Sequence, residues 1–234
     1  MTDQGWVRPE FLTTSEWVAE HVADDNVVVV DCDLLPAYQR LHIPGAVAAR
    51  SRYWKGDGND TDLFGIDGDK FAEHLGKMGI GNDDTIVAYD GSGGVFAARF
   101  WWTLDRYGHT NAMLLDGGLD QWVADGRPLS RENYRPKPKS YRAGAQDNHW
   151  TCGIADVAGA AEDPNVILWD VRSDGEWTGA NKRGTKRGGR IPGAVHLEWL
   201  KLLNEPVRTL RPPTEIRAEL EGLGVTPEKR VTTY

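Results

Sequence analysis

Two side chains in this chain could serve as a soft nucleophile, Cys32 and Cys152. Two thiols are too few for a disulfide scaffold or a structural zinc site. A thiol that does chemistry must ionise, and Cys32 stands between Asp31 and Asp33, whose negative charges oppose a thiolate. Cys152, in Thr151-Cys-Gly153, precedes an expected helix but has no catalytic-loop sequence around it. Both are read as structural thiols, and no catalytic residue is assigned among the residues present. Cations offer more. Arg172, in Asp170-Val-Arg172-Ser-Asp-Gly-Glu176, could hold an oxyanion through the two parallel bonds of a guanidinium, or could be used up by Asp170 or Glu176 in a structural ion pair. Lys182, Arg183, Lys186, Arg187 and Arg190 follow closely, and Arg187 and Arg190 are carried forward as further candidates for binding an anionic substrate. A merely solvated loop is the competing reading. Gly91-Ser-Gly-Gly94 lacks the spacing and the lysine of a nucleotide-phosphate loop, and no His, Asp or Glu cluster has metal-ligand spacing, so neither cofactor nor metal is expected.

The elements that must position these groups come in two copies. Val27-Val-Val-Val-Asp31 followed by His42-Ile-Pro-Gly-Ala46 matches Val166-Ile-Leu-Trp-Asp170 followed by Arg190-Ile-Pro-Gly-Ala194, with nine extra residues between Asp and Pro in the second copy. Leu75-Gly-Lys-Met-Gly-Ile80 with Thr85-Ile-Val-Ala-Tyr89 likewise matches Leu220-Glu-Gly-Leu-Gly-Val225 with Arg230-Val-Thr-Thr-Tyr234. The unbroken β-branched run at 27–31 predicts a strand covered on both faces, as in a parallel sheet. Thr13 with Glu16 predicts a capped helix through Trp17 and Val22. A helix is expected over 69–77, a strand over 85–89, an aromatic-rich helix over 95–107, a strand over 113–116 and a short helix over 119–124. The alternation is an α/β plan. Residues 130–148 are rich in Arg, Lys and Pro without apolar periodicity and read as a linker.

Composition bounds the function. With 234 residues, 40% hydrophobic and 26% charged, the chain suits two globular domains. Its net charge of −8 argues against nucleic-acid or anionic-membrane partners, so an anionic substrate would need a local basic pocket. The longest apolar run is a strand core, and the N-terminus has no signal pattern, which points to the cytoplasm.

The segment Tyr38-x-x-x-His42-Ile-Pro-Gly-Ala46 resembles the rhodanese signature, and its recurrence at 190–194 strengthens the likeness. Asp90-Gly-Ser-Gly-Gly94 before Ala97-Ala-Arg-Phe-Trp-Trp102, and Leu115-Asp-Gly-Gly-Leu-Asp-Gln-Trp122, are similar to the non-catalytic first domain of two-domain rhodaneses. The resemblance spans about 8 to 234. It implies an α/β fold of two rhodanese-like domains, each a parallel sheet flanked by helices: a first domain over 8–130, a linker over 131–148 and a second, incomplete domain over 149–234. Replacement of His42 by Arg190 favours a positional role for that site. By resemblance the nucleophile is a cysteine just after the second domain's fourth strand. Asp90 holds the matching place in the first domain, which is then silent, and the cysteine is expected as the residue after Tyr234, leaving the chain as written without turnover. Asp90 and Arg99 are expected to be structural.

The activity so implied is transfer of sulfane sulfur from thiosulfate, through a cysteine persulfide, to cyanide or another thiophilic acceptor. A 3-mercaptopyruvate sulfurtransferase would use the same fold with a different loop. Arg172 would then border the catalytic loop and face the donor's oxyanion. Glu176 stands where some members carry an arginine, which weakens an anion-binding role there. A non-catalytic rhodanese-like binding module, and a phosphatase with a Cys-x5-Arg loop, are the competing readings from other classes.

Overall fold

In the computed structural model, residues 5–49, 67–147, 151–160 and 163–234 are described. The chain divides into two compact units, Met1–Asn148 with Glu205–Thr209, and His149–Asn204 with Leu210–Tyr234.

The first unit is built on one sheet. In chain order its elements are β1 (Leu12–Thr13), α1 (Ser15–His21), β2 (Val27–Asp31), α2 (Leu35–Arg40), β3 (Val47–Ala48), α3 (Gly68–Lys77), β4 (Thr85–Tyr89), α4 (Val95–Arg106), β5 (Ala112–Leu115) and α5 (Gly118–Ala124). The strands are ordered β1-β5-β4-β2-β3, and every pairing is parallel. Alternation of side chains along each strand sends Val30, Ile86, Ala88 and Ala112 to one face, under Phe71 and Leu75 of α3 and Phe100 and Leu104 of α4. It sends Val29, Val87, Tyr89, Met113 and Leu115 to the other, against Val18 of α1 and Trp122 of α5. Burial on both faces is why these strands read as continuous apolar runs. Phe100 and Leu104 are at most 1% exposed, and each such side chain contributes about 2–3 kcal/mol of burial.

One expected cap falls on a neighbour. Thr13 lies in β1, and it is the Thr14 hydroxyl that accepts the Trp17 amide and starts α1. Pairing of β1 with β5 claims Thr13 for the sheet, and a local capping signal cannot anticipate that. α3 starts on Asp67, whose carboxylate accepts the Asp69 and Lys70 amides. Residues 131–147 form no helix or strand and run against this unit: the Lys139 ammonium bonds both Asp84 oxygens, Tyr141 packs edge-on to Phe71, and the Gly144 amide reaches the Tyr107 carbonyl.

The second unit contains α6 (Ile154–Ala160), β6 (Val166–Asp170), α7 (Asp174–Thr178), β7 (Val195–His196), α8 (Pro213–Gly222) and β8 (Arg230–Thr233), with a 3-10 turn at Trp199–Leu202. Its sheet has three parallel strands in the order β7-β6-β8. β6 sits between β8 and β7 as β2 sits between β4 and β3, and the register agrees: Asp31 pairs with Ala48, and Asp170 with His196. The Ile-Pro-Gly-Ala turns are also alike, since Gly45 and Gly193 have φ of 81° and 79°, a region glycine enters without strain. The duplication seen in sequence is a duplication of structure.

Candidate functional site at the carboxyl edge of the second sheet

β6 ends on Asp170, which is 0% exposed. A carboxylate there needs compensation, and Arg172, two residues on, supplies it. Its Nε lies 2.9 Å from Oδ1, its terminal nitrogen 2.5 Å from Oδ2, and its own amide donates to Oδ1 at 3.0 Å. Burial alone would raise the Asp170 carboxyl, but the Arg172 bonds outweigh it and hold the group below its ordinary value. The carboxylate correspondingly raises the guanidinium. The same terminal nitrogen donates to the Gly189 carbonyl at 3.0 Å, and the guanidinium carbon stands 5.1 Å from the centre of the Tyr234 ring. Arg172 is therefore locked in place with one aromatic neighbour.

Glu176 takes no part in that pair. It accepts from the Ser173 hydroxyl at 2.8 Å, which caps α7, and Arg183 approaches it at 3.9 Å. Arg190 lies 4.3 Å over the Trp177 ring, and Trp177 stacks on His196 with centroids 4.8 Å apart and planes 7° from parallel. His196 Nε2 donates to the Arg172 carbonyl at 2.8 Å. Arg190, Trp177, His196 and Arg172 thus form one stacked and bonded series along the edge. Arg187 is exposed, on the loop whose base meets Arg172 at Gly189. Of the three sequence candidates, Arg172 and Arg190 join this series and Arg187 stands outside it.

Tyr234 and Tyr89 make the same bonds. The Tyr89 hydroxyl accepts the Ile43 amide at 3.0 Å and its carbonyl accepts the Cys32 amide at 2.8 Å. The Tyr234 hydroxyl accepts the Ile191 amide at 3.0 Å and its carbonyl accepts the Val171 amide at 3.2 Å. In the first unit the next residue is Asp90, 1% exposed, and its carboxylate fills a cradle of amides. Oδ1 accepts from Ser92 and Gly94, each at 2.8 Å, and Oδ2 from Phe96 at 2.8 Å and Ala97 at 2.9 Å, at the N-terminus of α4. Such a cradle stabilises an anion, here the chain's own carboxylate.

The first unit lacks the cation. Where the second has Arg172 the first has Asp33, which accepts the Gly91 amide at 2.8 Å and the Ser92 hydroxyl at 3.3 Å and so pins the loop. Asp31, the counterpart of Asp170, has no ion-pair partner among the described residues, and burial raises its carboxyl to about 7. Cys32 beside it is buried, and burial first and then Asp90, Asp31 and Asp33 push its thiol well up, against any nucleophilic role. Cys152 is exposed. His42 is buried and stacked on Tyr38, with Nδ1 2.7 Å from the Tyr38 carbonyl, a positioning contact.

Sequence reasoning did not single out Trp177, His196 or the two tyrosines, and it weighed Asp33 only as a charge beside Cys32, not as the group that pins the Asp90 loop. Tyr89 and Tyr234 had a signal, since both close the repeated strand segment. Stacking of Trp177 on His196 leaves no mark in spacing. Among the described residues no group of three His, Cys, Asp or Glu side chains could hold a metal, and no helix is long and apolar enough to cross a membrane.

Two parallel sheets of the same plan, an amide cradle at the carboxyl end of β4 in the first unit and a paired Asp-x-Arg at the carboxyl end of β6 in the second define a class. The chain belongs to the Rhodanese-like domain family, which it matches over residues 14–125 and 154–234. It is 34% identical to the "Sulfur carrier protein TtuD" of Thermus thermophilus, over 98% of this chain and 84% of that protein. It is 33% identical to a Mycolicibacterium smegmatis protein named "Putative thiosulfate sulfurtransferase", over 97% of this chain and 83% of that one. The fold superposes on SseA of Escherichia coli, described as a 3-mercaptopyruvate sulfotransferase, with a TM-score of 0.80 at 24% identity, covering 95% of this chain and 87% of SseA.

Proposed function

We propose that the protein is a thiosulfate sulfurtransferase whose sulfur-carrying cysteine follows Tyr234, and that residues 1–234 alone do not turn over. The observation that carries this reading is the matched bonding of Tyr89 and Tyr234. It supports reading the position after Tyr234 as the second unit's counterpart of Asp90, with Arg172 near it where the first unit has Asp33. The name of the mycolicibacterial relative supports thiosulfate as donor.

The cysteine thiolate attacks the outer sulfur of thiosulfate. A new sulfur–sulfur bond forms, the donor's own breaks, and the electron pair leaves with sulfite. Cyanide or a thiolate then attacks the outer persulfide sulfur and returns the cysteine as thiolate. Backbone amides of the loop stabilise the thiolate and the persulfide, as they do the Asp90 carboxylate. Arg172, its orientation fixed by Asp170, faces the sulfonate end of the donor, and Arg187 and Arg190 add positive potential at the same edge. No cofactor or metal enters this cycle, and a cytoplasmic site of action goes with it.

The test is thiocyanate production by the intact gene product from thiosulfate and cyanide, run beside pyruvate release from 3-mercaptopyruvate with a thiol acceptor. Thiocyanate formation that exceeds turnover of 3-mercaptopyruvate is expected. Preference for 3-mercaptopyruvate would reassign the donor, and turnover of neither would leave a binding module.

A further inference from the structure

The loop between α7 and the second Ile-Pro-Gly-Ala turn is more than a solvated insertion. Residues 180–190 hold five cations, Lys182, Arg183, Lys186, Arg187 and Arg190, and no acid. With a net charge of −8 for the whole chain, −13 is left on all other residues, so this loop is a concentrated reversal of sign. All five cations are exposed. Arg190 is occupied by Trp177, and Arg183 lies 3.9 Å from Glu176. Among the described residues Lys182, Lys186 and Arg187 form no ion pair.

The loop is also built to hold its shape. A methyl group on Gly188 would lie 2.8 Å from the Gly179 carbonyl oxygen, so the two ends close on each other through glycines. The Thr185 hydroxyl bonds the Lys182 and Arg187 carbonyls, each at 2.7 Å, and its amide donates to Lys182 at 2.8 Å. The Arg183 amide donates to Asn181 Oδ1 at 3.0 Å, and the Asn181 amide ties the loop to Gly175 at 2.8 Å. A pre-ordered charged loop loses little conformational entropy on binding.

We propose that this loop is a docking element for an acidic protein that accepts sulfur, with Lys182, Arg183, Lys186 and Arg187 meeting carboxylates around the acceptor thiol; the inference rests on the sulfurtransferase reading above. Three observations select this partner. A small dianion needs cations that converge, whereas these side chains are spread over an exposed loop and suit several separate negative charges. A long nucleic acid would extend from the loop over a chain that is otherwise strongly acidic, whereas a compact acidic patch meets the loop alone and is repelled elsewhere, which fixes its orientation. The loop's base is bonded to Arg172 at Gly189, so a partner seated on it stands at the edge where the persulfide is proposed to form. In the transfer, the acceptor thiolate attacks the outer persulfide sulfur. The new sulfur–sulfur bond forms on the acceptor, the enzyme's own breaks, and the electron pair stays with the enzyme cysteine.

The experiment uses the intact gene product and two synthetic thiol peptides, a cysteine flanked by glutamates and a cysteine flanked by lysines, with cyanide as a third acceptor. The unaltered protein is expected to favour the glutamate peptide at low salt and to lose that preference as salt is raised. Lys182→Glu with Lys186→Glu should lower kcat/KM for the glutamate peptide about tenfold and, with thiosulfate held saturating throughout, leave the cyanide reaction within about twofold. An unchanged glutamate-peptide rate overturns the proposal. An equal loss in the cyanide reaction also overturns it, by assigning the loop to the donor, and so does competition by single-stranded DNA at the concentration where the glutamate peptide binds. If the unaltered protein fails to make thiocyanate, it is the sulfurtransferase reading that falls. Binding of the fluorescently labelled glutamate peptide, lost in the double variant, would then uphold docking alone, and binding that the variant retains would end it.

Discussion

Asp33 and Arg172 hold the same place in the two units, two residues beyond the aspartate that ends β2 in the first and β6 in the second, and they carry opposite charge. In the second unit the guanidinium neutralises buried Asp170 through two side-chain bonds. In the first, Asp33 turns instead to the amide of Gly91 and helps close the loop that Asp90 fills. A single change of sign distinguishes an edge whose buried aspartate is paired with a guanidinium from one where a second carboxylate pins the neighbouring loop.

Removing the cation should be costly. Arg172→Ala leaves Asp170 buried and unpaired, and a loss of about 3 kcal/mol in the stability of the second unit is expected, because a stranded buried charge costs more than the pair contributed. Arg172→Lys keeps the charge but not the fork, and should recover only part of the loss. Urea titration of the intact protein, with the Trp169 and Trp177 region as fluorescence probe, measures both. Equal midpoints for Arg172→Ala and the parent would contradict the pairing.

The uncompensated carboxylate of the first unit gives a pH dependence of definite sign. Folding raises Asp31 from an ordinary value near 3.8 to about 7. Below the lower value both states are protonated and there is no penalty. As pH rises, the unfolded chain releases the proton first, so stability falls between roughly pH 4 and 7 and the penalty is complete above that. About 3 units at ~1.4 kcal/mol each sets an upper size of about 4 kcal/mol. Urea midpoints should decline from pH 5 to pH 8 in the parent, and Asp31→Asn should flatten that part of the profile. A profile that rises over the same interval would refute the assignment.

Asp90 answers four amides at once, so Asp90→Ala should destabilise the first unit by about 3 kcal/mol, and Asp90→Asn, which keeps an acceptor, by less. Thermal melts of the two variants order them. Thiol labelling adds an independent check: the native protein should react at exposed Cys152 and spare buried Cys32, which becomes reactive only on unfolding.

The long strands were legible because a parallel sheet buries both faces and leaves unbroken apolar runs, as at 27–31, 85–89 and 166–170. The repeat likewise exposed the equivalence of Tyr89 with Tyr234, whose hydroxyls and carbonyls make matching bonds. The cap of α1 was misplaced by one residue because pairing of β1 with β5 decides where the helix begins. Arg172 could be named from its place at a strand end, but its choice of Asp170 over Glu176 depends on the burial of Asp170 and the capping duty of Glu176. The Arg190, Trp177 and His196 stack joins α7 to β7 across a loop and has no periodicity to betray it.

The two exposed arginines at the edge should act on the donor through long-range attraction. Arg187→Ala and Arg190→Ala are each expected to raise KM for thiosulfate about two- to fivefold at low ionic strength, with the difference shrinking in high salt as long-range attraction is screened. Steady-state kinetics of the intact protein at two salt concentrations would show it. A KM independent of both residues would remove them from donor binding.

The most direct measurement is the mass of the intact gene product after exposure to thiosulfate, followed by peptide mapping. The account predicts a gain of one sulfur atom, reversed by cyanide and located on a cysteine immediately after Tyr234. Sulfur found on Cys32 or Cys152, or a residue other than cysteine at that position, would contradict it.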